Sequence, residues 1–257
     1  MFYNELNEVY EVIIKMISDI SKDNELDNNV ETIIRNIKNS KKGDFLLFSE
    51  GFLHGFDALS WDYETDINIA INQDSIFIEK IKEQCKEYGV FCGFGYYEKV
   101  DEDIYCSYMI VNDKGKIINN YRRISIGWKK YWLTTSEYKE GTELLPFQIQ
   151  DFKATTIVCG DLWDDNTKKM LIEKIDKEDL DFIIWPNHLD YKEDEWKKEM
   201  SNDYAKRTKG VKVPTFLIND ISETSPGGAA VFLDGKMLAI SKTLKADILI
   251  FEIESDN

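Results

Sequence analysis

Glu50 closes the short apolar run "DFLLFSE", and Cys159 closes "ATTIVC". A thiol at the end of an apolar run, followed at once by Gly160, Asp161 and Trp163, has two readings. It is a buried small hydrophobe, or a nucleophile at the mouth of a site. A carboxylate set among aromatic neighbours becomes a usable base when burial raises its pKa, and Glu50 is followed by Gly51 and Phe52. A cysteine with such a base can carry out covalent acyl transfer. Histidine is the other base to weigh, as in papain-type enzymes. Only His54 and His188 exist. His188, in "WPNHLDY", follows a strand end and reads first as a hydrogen-bonded pocket wall.

The elements that must position these groups alternate between strand and helix. "EVIIKMISDI" reads as a strand. "DNNVETIIRNIKNS" places Val30, Ile33, Ile34 and Ile37 on one helical face. "DFLLFSE" is nearly continuous in apolar residues, as in a strand covered on both faces. "SIFIEKIKEQCKEYG" reads as a helix ending at Gly89. "VFCGFGYYE" reads as a strand, and "YCSYMIVNDKGKIINNYRRI" as a hairpin turning at "NDKG". "ATTIVC", "DFIIWPN", "TFLIND" and "AAVFLDGKMLAI" supply further strands, with helical "TKKMLIEKI" and "EDEWKKEMSNDYAKRTKG" between them. This alternation predicts an α/β sandwich, with ligands beyond the carboxyl ends of strands. Glu50, Cys159 and Asn187 all stand at such ends.

The totals narrow the function classes. A chain of 257 residues with 43% hydrophobic residues can build one large α/β domain. No repeat, low-complexity segment or linker-like proline cluster divides it, so one domain over residues 1–257 is expected. The formal net charge of −16 would repel nucleic-acid backbones. No run of about 18 apolar residues suggests a membrane span. The acidic start "MFYNELNEVYEVIIKM" does not read as a signal peptide. Cys85, Cys92, Cys106 and Cys159 include no C-x-x-C pair, which argues against zinc or a disulfide scaffold and for a reducing cytoplasm. Nothing calls for a metal or an organic cofactor.

"FSEGFLHGF", "YRRISIGW" and "IVCGDLWDD", in this order, resemble the three catalytic blocks of the nitrilase superfamily, the carbon–nitrogen hydrolases. The looser likeness of the intervening segments runs from about Val12 to Glu252. The resemblance implies a four-layer α–β–β–α sandwich and self-association as a homodimer or larger. The implied substrate is a small linear amide or carbamoyl compound. The family's catalytic set is a glutamate, a lysine and a cysteine. Glu50 matches the general base and Cys159 the nucleophile. A second glutamate commonly supports the site, for which Glu137 in "TSEYKEG" is the best candidate and Glu140 the other register. The departure is Arg123, which stands where the family has lysine in the tyrosine–arginine–lysine pattern. Lys129 or Lys130 would supply an ammonium if the register differed. Cys106 stands where many relatives carry asparagine, and its plain reading is a buried small side chain. Arg123 and the Gly160 N–H would face the oxyanion. Trp128, Asp161, Trp163, Asn187 and His188 are the pocket candidates, with capping of the following helix the alternative for Asp161 and Asp164. A binding protein that kept the fold and lost the chemistry is the competing expectation, and a Cys–His hydrolase the third.

Overall fold

The computed structural model describes residues 11–254. Residues 1–10 of the acidic start lie outside the described residues.

Two mixed sheets carry the chain. The first is built from β1 (Glu11–Ser18), β2 (Phe45–Leu47), β3 (Phe91–Val100), β4 (Asp103–Val111), β5 (Ile117–Arg122), the short β6 (Tyr138–Lys139) and, beside β1, the last strand β13 (Asp247–Glu254). The second runs from β7 (Phe147–Ile149) through β8 (Phe152–Thr156), β9 (Phe182–Asn187), β10 (Thr215–Ile221) and β11 (Pro226–Leu233) to β12 (Lys236–Ile240). The helices are α1 (Leu26–Lys38), α2 (Tyr63–Ile69), α3 (Ile76–Tyr88), α4 (Asp165–Glu178) and α5 (Glu193–Glu199). A π-helical turn at Met200–Tyr204 joins α5 to Ala205–Arg207.

The pleat explains the layers. Side chains on a strand alternate between faces. Phe45 and Leu47 of β2 therefore enter the core between the sheets with Phe182, Ile184 and Phe216, while Leu46 enters the core beneath the helices with Ile33, Ile37, Ile78 and Ile81. A strand buried on both faces needs the continuous apolar run that "DFLLF" supplies. Helix α4 adds Leu171 and Ile175 to the large core that contains the second sheet. The result is the α–β–β–α sandwich implied by the resemblance.

Two features differ from the sequence reading. β2 stops at Leu47 and β8 at Thr156, so Glu50 and Cys159 stand in the turns beyond their strands and not at the last strand positions. A side chain in a turn can be aimed at a reaction centre, whereas one in a strand is fixed by the pleat. β13 is a strand the sequence reading did not single out; its apolar run Ile248–Phe251 is half-buried, with intermediate and exposed residues alternating along the strand. No helix among the described residues is long and apolar enough to cross a membrane.

Candidate active site

The turn after β2 carries Glu50 and is pressed onto β3. Gly95 donates its N–H to the Ser49 carbonyl at 3.1 Å and accepts from the Leu53 N–H at 3.0 Å. A Cβ at Gly95 would collide with the main-chain nitrogen of Gly51, so only glycine allows this approach. Glu50 is buried behind that contact. Its Oε1 accepts from Arg123 Nη1 at 2.6 Å and from the Cys106 thiol at 3.3 Å. Its Oε2 is buried without a hydrogen-bond partner among the described residues.

Cys159 sits in a 3₁₀ turn, Cys159–Trp163, with φ +42°. A non-glycine residue in the left-handed region is strained and persists only when its surroundings fix it. The surroundings here are explicit. The Cys159 carbonyl accepts from Trp185 Nε1 at 2.9 Å. Asp161 accepts four hydrogen bonds: from the Ile124 and Ser125 N–H groups at Oδ1, and from Tyr121 Oη and the Val158 N–H at Oδ2. One buried carboxylate thus ties the loop after β5, which holds Arg123, to the turn that holds Cys159. Burial lifts the Asp161 pKa above the ordinary range, against the pull of Arg123 and these donors. The side chain does not cap α4; it closes the 3₁₀ turn onto the Val158 N–H. Asp164 caps α4, accepting from the Thr167 N–H at 2.7 Å.

The cation is Arg123. Its side chain is 3% exposed, with Nε on Ser125 Oγ at 2.9 Å. A Cβ at Gly160 would collide with its Nη2, so the glycine after the cysteine makes room for the guanidinium. Burial opposes the charge, but Glu50, Cys159 and Asp161 outweigh it and raise the Arg123 pKa. The alternative ammonium groups are elsewhere. Lys129 pairs with Glu140 at 2.6 Å and donates to the Tyr138 carbonyl, and Lys130 is exposed.

Cys159 is only partly exposed, in front of the buried Glu50 and Arg123. Burial, and next the Glu50 charge beside it, push its thiol up to about 12, while Arg123 and the His188 main-chain N–H pull the other way. The thiol therefore stays protonated at neutral pH, unlike the preformed thiolate of a Cys–His pair. Its proton has to leave during attack, and Glu50 is the carboxylate whose charge acts on it.

Sequence placement fails at the second glutamate. β6 alternates, with Tyr138 buried and Lys139 exposed. Glu137 falls on the outward side, where its carboxylate accepts from Ser136 Oγ. Glu140 is engaged by Lys129. Neither joins Glu50, Arg123 and Cys159. Trp128 is buried against Trp61, Tyr97 and Tyr138, a packing role. Trp163 is 43% exposed on the rim, edge-on to Tyr204 at 5.2 Å. Asn187 is buried and donates to the Trp185 carbonyl at 2.6 Å. His188 directs its ring away from Cys159, to Asp220 and Thr224. Cys106 reaches further than its sequence reading: it is a direct contact of Glu50. A recess of ≈ 560 Å³ is lined by Arg123, Ser125, Ile126, Gly127, Gly160 and Met170 among others, and by neither Glu50 nor Cys159.

Comparison with known proteins decides the family. Residues 14–203 match the family model for carbon-nitrogen hydrolases. The chain belongs to that family. A carbon-nitrogen hydrolase superfamily protein from Xanthomonas campestris, XC1258, solved with an arsenic adduct in its active site, superposes with a TM-score of 0.77 at 14% identity, over 95% of this chain and 91% of that one. An amidase from Nesterenkonia AN1, of the nitrilase superfamily, superposes with a TM-score of 0.74 at 10% identity, over 95% and 90%. The glutamine-dependent NAD(+) synthetase of Thermotoga maritima is 26% identical over 130 residues, 49% of this chain. The match spans 21% of that synthetase's length.

Proposed function

We propose that this carbon-nitrogen hydrolase cleaves a small linear amide or carbamoyl compound through a thioester on Cys159. The observation that carries the reading is the division of labour on Glu50. Oε1 is held by Arg123 and Cys106, and Oε2 is left without another partner, beside a thiol too basic to ionise unaided.

Glu50 Oε2 takes the Cys159 proton as sulfur attacks the amide carbon. Arg123 and the Gly160 N–H stabilise the oxyanion, a contribution worth on the order of a hundredfold or more per donor. The C–N bond breaks, and protonated Glu50 delivers the proton to the departing nitrogen, leaving the thioester. A water then gives its proton to Glu50, and its oxygen attacks the thioester carbon. The C–S bond breaks, the acid leaves, and the sulfur regains the proton. Arginine holds positive charge there as firmly as lysine but is larger and planar. The recess lined by Arg123 and Gly160 falls within the size range of small-molecule sites.

Hydroxylamine tests the thioester directly. Added during turnover of an amide, it diverts the acyl group to a hydroxamate. Hydroxamate formed by the wild type and absent with Cys159→Ala supports the reading; ammonia release without any hydroxamate contradicts it. Arg123, in the family lysine's place and already committed to Glu50, favours one second reading, a ligand-binding relative without turnover.

A further inference from the structure

Two histidines lie near the catalytic turns, and their hydrogen bonds define opposite protonation states. His54 is buried, with Nδ1 accepting from the Tyr97 N–H at 3.2 Å and Nε2 facing the Ile69 carbonyl at 3.2 Å. One nitrogen accepts and the other donates, so the ring is neutral. His188 differs. Its Nδ1 lies 3.0 Å from Asp220 Oδ1, a carboxylate oxygen that only accepts. Its Nε2 lies 3.1 Å from Thr224 Oγ1, whose hydrogen is committed to Asp57 Oδ2 at 2.8 Å. Both ring nitrogens must therefore donate, and His188 is an imidazolium. It is stacked on Phe56, with ring centroids 4.0 Å apart and planes 3° from parallel.

This network joins the turns of the reaction centre. Asp220 Oδ1 also accepts from Ser49 Oγ at 3.3 Å, the residue before Glu50. Trp185, three residues before His188 and on β9, holds the Cys159 carbonyl through its Nε1 at 2.9 Å, and the His188 main-chain N–H pulls the Cys159 pKa down. We propose that His188 and Asp220 are positioning residues of this site: the doubly bonded His188 ring fixes the end of β9, whose Trp185 holds the Cys159 carbonyl, and Asp220 ties that arrangement to the Glu50 turn through Ser49. The proposal rests on Cys159 being the nucleophile. It gives His188 a part different from the base of a Cys–His pair, since its ring points away from the thiol. The charged groups that act on the ring are Asp220, Asp57, Glu50 and Asp23, all acidic.

The test is the rate of Cys159 alkylation by iodoacetamide as a function of pH, followed by peptide mass spectrometry. The proteins are the wild type, Asp220→Asn, Thr224→Val and Thr224→Ser. Asp220→Asn removes the carboxylate, and Thr224→Val removes the second acceptor without touching the buried pair. Each is expected to slow labelling at a fixed pH of about 8 by roughly tenfold, the size of one pKa unit, and to move the profile to higher pH. Thr224→Ser keeps the hydroxyl and is expected to regain the wild-type profile. Superimposable profiles for all four proteins would overturn the proposal. So would a Thr224→Ser profile that matches Thr224→Val. Amide turnover is measured separately: labelling that responds as expected in a protein that turns over no amide upholds the positioning and removes the function.

Discussion

Arg123 Nη1 lies 2.6 Å from Glu50 Oε1, and both side chains are almost wholly buried. Each charge is the other's main compensation. Truncating either leaves an uncompensated charge in the interior, which costs about 3–5 kcal/mol. Arg123→Ala is therefore expected to lose both turnover, by about a hundredfold or more, and thermal stability. Arg123→Lys restores the family's residue and keeps the charge, so it is expected to lose far less stability. Melting temperatures of the two variants beside the wild type check this; equal losses would show that charge is not what the position supplies.

Asp161 joins the two halves of the site. Removing it strands the Ile124, Ser125 and Val158 N–H groups and the Tyr121 hydroxyl. A hydrogen bond to a charged group is worth about 1.5–3 kcal/mol, so Asp161→Ala should destabilise the fold by more than about 3 kcal/mol. Urea unfolding measures it. A change under about 1 kcal/mol would contradict this role.

Cys106 donates to the same Glu50 oxygen as Arg123. Burial, and then the Glu50 charge, keep its thiol protonated, well above the usual range. Losing one neutral donor costs about 1 kcal/mol, a several-fold effect in rate. Cys106→Ala should lower kcat several-fold, and Cys106→Asn, which supplies an amide donor, should recover part of it. Steady-state kinetics on any accepted amide decides; an unchanged kcat for Cys106→Ala removes the contact from the account.

The two histidines give stability opposite slopes with pH. Burial lowers the His54 pKa to about 4, from 6.5. Its folded form binds the proton more weakly than the unfolded chain, so stability falls as pH drops from about 6.5 towards 4, by about 3 kcal/mol in all. For His188, burial opposes the charge but Asp220 outweighs it and raises the pKa. Its contribution is complete below 6.5 and is lost as pH rises through the folded value. Melting temperature between pH 4 and 6.5 should climb with pH, and His54→Gln should flatten that climb. An unchanged slope in His54→Gln would place the acid sensitivity elsewhere.

Much of the site was legible in the sequence because its main parts are local. "DFLLFSEGF" and "TTIVCGDLWDD" put Glu50 and Cys159 where strands end, and the apolar runs before them found their layers by periodicity alone. The Lys→Arg departure was visible as a change of residue type. What was hidden is long-range. Nothing in "TSEYKEG" says that the pleat of β6 turns Glu137 outward. Asp161 looked like a helix cap because capping is the usual work of an aspartate before a helix, and its four donors come partly from a loop far away in sequence. Cys106 looked like filler because a contact with Glu50 exists only after β4 lies across the sheet from the turn. His188 was noticed as a pocket wall or base, whereas its ring is bonded to Asp220 and Thr224, partners that lie far from it in sequence.

Ammonia release from a panel of short linear amides and glutamine, by the wild type beside Cys159→Ala, tests the central claim most directly. The account expects release from at least one amide by the wild type and from none by Cys159→Ala. Release that survives in Cys159→Ala, or a wild-type protein inert to the whole panel, would contradict it.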